Sequence, residues 1–304
     1  MNDTALGSRA IRKCSDAFMA QQRKKRAVLA LFSVIMLLSM SASSVRGAEA
    51  QHLTSASIEF TAPPGMFLVG EKLEYEVSYS IFSLGTVTVE ILDTLQKKGT
   101  VVYRARAFMD SYSGVPFVSL HWMFYSEIDP QLYSHFFSGA DRKDSTNISY
   151  SDYSFDYSHG KVFVEKGITT KRDLATRKSD TISTPYQDGL SLFYYARGNV
   201  HSNKEVNVPT YVNESKVNTY INFLHKSGSS EIDAIKYPVQ TIKFEGRADF
   251  VGIFGLTGGF EGWFSDDAAA VPIVAKMKVI IGSIRLELVR WRREGWVPPR
   301  AVDE

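Results

Sequence analysis

The sequence contains a single cysteine, Cys14, and it lies within the first 50 of the 304 residues. The chain after residue 50 therefore has no disulfide, no thiolate nucleophile and no thiolate metal ligand. Its stability has to come from packing alone. The remaining length is sufficient for one large β domain or two smaller ones.

A hydrophobic run long enough to span a membrane is also missing. The most apolar stretch, "AVLALFSVIMLLSM" at residues 27–40, has 14 residues, whereas a membrane helix needs roughly 20. Basic residues 23–26 precede it and small residues follow it, which is the order of a secretory signal. We predict that residues 1–50 are a signal peptide with an N-terminal extension, cleaved near residues 47–50. An uncleaved anchor is the alternative.

The product is therefore expected in the periplasm or otherwise exported, with no membrane span after cleavage. No cysteine follows the small residues, so there is no site for lipoprotein acylation. Residues 1–50 hold eight of the 35 Lys and Arg and three of the 33 Asp and Glu, which leaves 27 basic and 30 acidic side chains. The two signs are interspersed. Without a basic stripe, nucleic acid is not an expected partner.

Motifs for catalysis and metal binding are scarce. The six histidines never fall at a metal-ligand spacing such as HxxxH, and no GxSxG nucleophile elbow occurs. The nearest match, "GLSLF" at residues 189–193, lacks the second glycine. The glycine-rich "GIFGLTGG" at residues 252–259 has no P-loop lysine. We predict no catalytic residue, no metal site and no cofactor, and so a protein that is not an enzyme.

Two adjacent carboxylates, Asp266 and Asp267, follow Trp263 and Phe264 in "GWFSDDAAAVP". Paired-carboxylate hydrolysis needs two acids that converge across one bond, about 5 to 10 Å apart. Adjacent residues of a strand point to opposite faces, whereas Asp is common in turns because its side chain accepts hydrogen bonds from nearby amides. We predict a turn over residues 265–270, with Pro272 at the start of the next strand.

Period-two alternation dominates the chain after the signal. In "EKLEYEVSYS", for example, Leu73, Tyr75, Val77 and Tyr79 share one face of a strand. We predict a mainly β protein, with an antiparallel curved sheet, barrel or sandwich of about eleven or twelve strands. One short helix is predicted over residues 186–199, with Asp188 capping its start and Gly198 ending it. The stretch 169–183 reads as a long loop or frayed strand.

Aromatic residues are concentrated in the middle strands and on the predicted helix. They favour strands and bury large areas in any case, so a plain aromatic core is one interpretation. The other is a partly open groove that holds an apolar ligand. The residues predicted to line this groove are Trp122, Phe124, Phe136, Tyr150, Phe155, Phe193, Tyr194 and Trp263.

Three segments in this order resemble a known family. They are "GEKLEYEVSYSIFSLGTVTVEI" at residues 70–91, "QDGLSLFYYAR" at 187–197 and "GWFSDDAAAVPIVAKMKVIIGSIRLEL" at 262–288. They are similar to an exported bacterial family, domain of unknown function 3108. The resemblance implies a single β-rich periplasmic domain over residues 66–291 and supplies no catalytic residues. Residues 292–304 are expected to be a disordered tail. On architecture alone, the curved half-barrels of lipoprotein carriers are a looser likeness.

These observations favour an exported, non-catalytic β protein that binds a lipid-like ligand, or an acylated envelope partner, in a groove. The first alternative is a structural or interaction module of the cell envelope with a filled core. A glycan-acting enzyme with dispersed carboxylates is the third hypothesis. A continuous apolar cavity of roughly 300 Å³ or more would favour a ligand, and a packed interior would favour the module.

Overall fold

The described chain forms one antiparallel sheet of 14 strands with a single α-helix. The structure is a computed structural model that describes residues 61–97, 99–115, 119–248, 250, 258–278 and 283–301. The predicted signal peptide, residues 1–50, lies outside the described residues. Among the described residues, no helix has the length and apolar character needed to cross a membrane.

The elements follow one another along the chain with short connections. The strands are β1 (Lys72–Tyr79), β2 (Phe82–Lys97), β3 (Thr100–Ser111), β4 (His121–Ile128), β5 (Ser134–Asp141), β6 (Ser149–Asp156), β7 (Lys161–Ile168), β8 (Thr176–Thr181), β9 (Glu205–Val212), β10 (Ser215–Ser230), β11 (Val239–Ala248), β12 (Gly258–Ser265), β13 (Pro272–Lys278) and β14 (Ser283–Arg292). Helix α1 (Ser191–Asn199) lies between β8 and β9, and a short 3₁₀ helix, Thr169–Leu174, precedes β8.

Two meanders are joined side by side in the sheet. Strands β1 to β8 pair in sequence, β9 to β14 do the same, and β1 pairs with β14, so that β8 and β9 are the two edges. The mainly antiparallel β class is confirmed. The predicted count of eleven or twelve strands is too low, and the strands form one continuous sheet that does not close.

The strand count was too low because the two edge strands, β8 and β9, were not predicted. Nearly all of β8 is exposed on both faces, so its sequence "TRKSDT" is polar throughout. Strand β10 also continues to Ser230 through residues 226–229, "KSGS", whose composition is typical of a turn. A register shift between Asn222 and Lys226 absorbs the irregularity there. A further strand was predicted over residues 230–237, but Ser230 ends β10 and residues 231–238 are the connection to β11.

The two edges of the sheet approach each other through side chains. The Tyr211 hydroxyl at the end of β9 donates to the Asp180 carboxylate of β8. Lys216 Nζ donates to the Thr181 carbonyl at 2.9 Å, and Lys178 Nζ donates to the Glu214 carbonyl at 2.6 Å. Because the first and last strands of the order meet, the sheet curves round an interior. We call these three hydrogen bonds, and the six residues that make them, the polar seam.

Helix α1 is shorter than predicted, since it begins at Ser191 rather than near residue 186. Asp188 still organises its start, because Asp188 Oδ1 accepts hydrogen bonds from the amides of Leu190 at 2.7 Å and Ser191 at 2.8 Å. Gly198, predicted to end the helix, is followed by one more helical residue, Asn199. Residues 187–190 therefore form an extended segment and a turn that lead into the helix.

The turn predicted at the two carboxylates is confirmed. Strand β12 ends at Ser265 and β13 begins at Pro272. Asp267 Oδ1 accepts from the amides of Ala269 and Ala270, each at 3.0 Å, and from Ser265 Oγ at 2.8 Å. The Asp267 carboxylate thus holds the loop together, as expected of Asp in a turn.

Residues 293–301, expected to be part of a disordered tail, pack against the sheet instead. The Pro299 carbonyl accepts from the Gln240 amide at 2.8 Å, and the Ala301 amide donates to the Pro238 carbonyl at 2.9 Å. Arg300 forms an antiparallel bridge with Val239. Tertiary hydrogen bonds order a segment whose composition alone suggested disorder. Residues 302–304 lie outside the described residues.

Candidate functional site

A buried ion pair fixes helix α1 to the rest of the fold. The Arg197 guanidinium donates to both carboxylate oxygens of Glu71, at 2.6 and 3.1 Å, and Arg293 donates to the same carboxylate. Arg197 also donates to the Ala269 carbonyl at 2.9 Å and the Ala270 carbonyl at 3.2 Å. Burial acts to raise the pKa of Glu71, but the two guanidinium groups outweigh it and lower that pKa below its ordinary value.

Asp188 is a second buried carboxylate beneath the helix, and it has no cationic partner in its hydrogen-bond set. It accepts from Ser126 Oγ at 2.7 Å and Ser134 Oγ at 2.5 Å, in addition to the Leu190 and Ser191 amides. Burial raises the pKa of this carboxyl group, and the four hydrogen bonds oppose that rise. The site ties α1 to strands β4 and β5.

A cavity of about 200 Å³ lies between α1 and the inner face of the sheet, and we call it the apolar cavity. Leu190 and Phe193 line it from the helix side, and Val89, Phe244 and Phe264 line it from the strands. Its walls come from β1, β2 and β9 to β14. The helix therefore covers a pocket that two halves of the sheet build together.

Reciprocal glycine–phenylalanine pairs shape one wall of the apolar cavity. Phe244 of β11 pairs with Gly262 of β12, and Gly246 of β11 pairs with Phe260 of β12. A Cβ atom at either glycine would overlap the ring of its partner. The missing side chains thus allow each ring to lie across the neighbouring strand, where it buries apolar surface.

Several polar residues line the apolar cavity, and their hydroxyl groups are hydrogen-bonded to other protein atoms. The hydroxyls of Thr210 and Thr219 lie 2.9 Å apart, and Thr210 also donates to the Val208 carbonyl. The Tyr75 hydroxyl donates to the Pro272 carbonyl at 3.1 Å. What these residues present to the cavity is carbon, which suits an apolar occupant.

A cavity of about 370 Å³ lies on the same inner face, against β4 to β7 and the β9–β10 hairpin, and we call it the aromatic cavity. Val212 lines both cavities. Trp122, Phe124 and Tyr150, predicted as groove residues, line the aromatic cavity, and Phe193 lines the apolar one. The structure thus places four of the eight predicted residues at a cavity wall.

The other four predicted residues line neither cavity. Phe155 and Tyr194 are buried in the core, against Tyr211 and Phe67 respectively. Phe136 packs edge-on against Tyr125. Trp263 alternates with the cavity residue Phe264, so it lies on the opposite face of β12. There its ring lies 5.3 Å from the ammonium group of Lys243 and 5.2 Å from that of Lys276.

The cavity walls in β9 to β14 were missed by sequence reasoning. Their signal in the sequence is small residues at cavity-lining positions, such as Ala248, Gly259 and Ala275, which leave space. Aromatic residues, the signal used for the predicted groove, mark the middle strands, whereas this cavity depends on positions that lack large side chains. The partners of Glu71 and Arg197 were also not predicted.

Four histidines pair with an aspartate each. His135 Nε2 lies 2.8 Å from Asp129, and His201 Nε2 lies 3.0 Å from Asp266. At the β6–β7 turn, Ser158 and Asp156 both contact Nδ1 of His159. A serine–histidine–aspartate triad uses opposite ring nitrogens, so this cluster is not arranged as one. No group of three His, Cys, Asp or Glu suited to a metal occurs among the described residues.

These features define an open, barrel-like antiparallel sheet with a helix over its interior. The chain belongs to the family described as protein of unknown function DUF3108, whose model matches residues 74–289. The family resemblance noted from the sequence is therefore confirmed. A similar solved structure is that of a beta-barrel-like protein of domain of unknown function DUF1849 from Brucella abortus, at 12% identity and a TM-score of 0.48. That match covers 74% of this chain and 98% of the other. No curated protein matches the sequence.

Proposed function

We propose that this chain is an exported, non-catalytic envelope protein that binds a lipid-like ligand in the apolar cavity. The observation that carries the proposal is the cavity of about 200 Å³ between α1 and the sheet, with apolar walls. An empty apolar cavity of this kind admits small apolar molecules, as engineered cavities of about 150 Å³ do. The order of basic, apolar and small residues in positions 1–50 supports export.

The alternative is an interaction module of the envelope with a nearly filled core. The same cavity favours it in one respect, because about 200 Å³ is below the roughly 300 Å³ of typical ligand pockets. The two functions differ in what the purified protein carries. A carrier retains a ligand or takes up a probe, whereas a module does neither.

Native mass spectrometry of the protein isolated from its own cell envelope tests this difference. We expect an apolar molecule bound at one per chain, and displacement of that molecule by fluorescent fatty-acid probes. Each buried methylene contributes about 0.8 kcal/mol, so two further methylenes should tighten probe binding by about tenfold until the cavity is full. Ligand-free protein that takes up no probe would overturn the carrier function.

A cavity-filling variant localises the binding. Ala275 lines the apolar cavity and pairs with Gly262 on the inner face, so Ala275→Phe should abolish probe binding. Ser154→Phe is the matched control, because Ser154 is exposed on β6. Both variants are checked for folding by circular dichroism. Unchanged probe binding in a folded Ala275→Phe protein would place the site elsewhere.

A further inference from the structure

The aromatic cavity has an apolar wall made of a series of rings. Trp122 and Phe124 lie with ring centroids 5.9 Å apart, Phe124 and Phe137 6.2 Å, and Phe137 and Tyr153 5.2 Å. All four residues line the cavity. Because Val212 lines this cavity and the apolar one, the two are neighbours along β9. The two cavities therefore share one residue of their walls.

A pair of opposite charges lines the same cavity. Lys166 Nζ lies 3.1 and 3.2 Å from the two carboxylate oxygens of Glu214, and Ser151 Oγ donates to that carboxylate at 3.0 Å. The Lys166 side chain is 58% exposed and that of Glu214 is 25% exposed. Exposed ion pairs contribute little to stability, so each member can exchange its partner for an ion of the same sign on a ligand.

Glu214 occupies a position that does not suit its backbone. Val212 pairs with Ser215, so Asn213 and Glu214 form a two-residue hairpin turn. Their φ angles are 51° and 55°, which is the left-handed region required by a type I′ turn. Asn followed by Gly is favoured there, and a residue with a Cβ atom is disfavoured at the second position. Such a position persists where surrounding contacts hold it, and here the Glu214 amide donates to the Tyr153 hydroxyl at 3.3 Å while Lys178 donates to the Glu214 carbonyl.

We propose that the aromatic cavity binds the zwitterionic head of a single-chain amphiphile, whose tail enters the apolar cavity. The inference rests on the proposed function, since it assumes that the apolar cavity holds a tail. Lys166 pairs with the anionic group of the head, such as a phosphate, and Glu214 pairs with its ammonium group. The aromatic rings pack against the carbon atoms between head and tail, and against a quaternary ammonium where there is one. A purely anionic head would meet the Glu214 carboxylate, and an uncharged head would leave the ion pair unused.

Three amphiphiles with the same acyl chain test the head preference. They are a lysophosphatidylcholine, a lysophosphatidylglycerol and a monoacylglycerol, each titrated below its critical micelle concentration and followed by calorimetry. We expect the zwitterion to bind about tenfold or more tightly than either of the others. Because the three amphiphiles share one acyl chain, a tenfold difference in affinity reflects at least one favourable charge contact made by the head.

Glu214→Gly is the decisive variant, because glycine suits the turn and the fold is expected to persist. It should reduce the affinity for the zwitterion about tenfold. It should also tighten binding of lysophosphatidylglycerol, because Lys166 then has no competing carboxylate. Lys216→Ala is the matched control. Lys216 lies in the polar seam but does not line the cavity, so the preference should stay as in the wild type.

The possible outcomes separate this inference from the proposed function. Equal binding of all three amphiphiles, or unchanged preference in Glu214→Gly, overturns the head site and leaves tail binding in place. Tightest binding of the anionic amphiphile by the wild type also overturns the zwitterion assignment. Binding of none of the three overturns both the head site and the apolar ligand. Preference for the zwitterion that disappears in Glu214→Gly supports the head site.

Discussion

Arg197 and Glu71 lie 126 positions apart in the chain, and their side chains form a bidentate ion pair in the interior. The guanidinium is 0% exposed and the carboxylate 1%. Arg197 is the last residue of the segment at 187–197, and Glu71 is the second residue of the segment at 70–91. The carbonyls of Ala269 and Ala270 belong to the segment at 262–288. The three segments that carry the family resemblance therefore meet at one buried site.

Removal of Arg197 is predicted to destabilise the fold strongly. In Arg197→Met the Glu71 carboxylate loses one of its two cations, and two backbone carbonyls lose their donor. Breaking a buried pair by removing one partner costs about 3–5 kcal/mol, and the retained Arg293 contact favours the lower end of that range. Urea unfolding measures the loss.

Arg290→Met is the matched control for that measurement. Arg290 pairs with Glu74, and its side chain is 78% exposed, so its removal should change the free energy of unfolding by no more than about 1 kcal/mol. Equal losses in the two variants would contradict a structural role for the Glu71–Arg197 pair.

The contribution of Asp188 to the stability of the fold is predicted to change with pH in the opposite direction to the contribution of Glu71. Burial raises its pKa in the folded protein, so the folded-state pKa exceeds the unfolded one. The stability contributed by this group is present below the unfolded pKa and is lost as the pH rises through the folded pKa. For Glu71, whose pKa is lowered, stability is lost as the pH falls through the folded pKa.

Asp188→Asn isolates this effect, because the amide keeps one oxygen acceptor and does not ionise. The free energy of unfolding of the variant, relative to the wild type, should increase as the pH rises from the acidic range to neutrality. Denaturant unfolding across that range gives the difference directly. A difference that stays constant with pH would show that Asp188 does not titrate between the two ends. Asp188→Ala should destabilise the protein at every pH, since four donors lose their acceptor.

Loss of one hydrogen bond from the polar seam is predicted to let the two edge strands separate locally. Tyr211 keeps its ring contacts with Tyr153 and Phe155 in Tyr211→Phe, but its hydrogen bond to Asp180 is lost. That hydrogen bond is the main cause of the lowered pKa of Asp180. In the variant, the pKa of Asp180 should rise and the amides of β8 should exchange faster with solvent.

Hydrogen exchange followed by mass spectrometry distinguishes local from global effects of Tyr211→Phe. Amides in β1 and β14, at the centre of the sheet order, should exchange as in the wild type. Faster exchange in those central strands would mean that the hydroxyl supports the whole fold and not the seam. Unchanged exchange in β8 would mean that the other seam contacts suffice.

Local patterns in the sequence predicted much of the fold. Alternation of Leu73 and Tyr75 with charged residues identified β1, because a half-buried strand leaves a period of two. The chemistry of Asp267 identified a turn. Asp188 marked the start of α1 to within three residues. Each of these predictions depends on neighbours in the chain, which the sequence displays directly.

The features that the sequence did not predict depend on distant residues. Glu71 and Arg197 are of residue types that are almost always exposed, and only the folded chain brings them together. Strand β8 is polar on both faces because it lies at an edge of the sheet and packs little of its surface. The apolar cavity is a space left by glycine and alanine on several strands, and no single segment encodes it.

The two adjacent carboxylates should differ sharply when each is replaced by alanine. Asp267 accepts four hydrogen bonds, three within the turn and one from Trp296 Nε1 at 2.8 Å. Asp267→Ala leaves these donors without their acceptor and should lower the free energy of unfolding by about 2–3 kcal/mol. The Asp266 carboxylate contacts the exposed side chains of His201 and Ser227, and the hydrogen bond from the Asp266 amide to the Gln240 carbonyl does not depend on its side chain. Asp266→Ala should therefore change the free energy of unfolding by less than about 1 kcal/mol.

Thermal and urea unfolding of both variants, with ligand binding measured in parallel, show whether each carboxylate has a structural or a functional role. Equal destabilisation would contradict a turn held by Asp267, and loss of binding in a stable Asp266→Ala protein would return that carboxylate to a functional role.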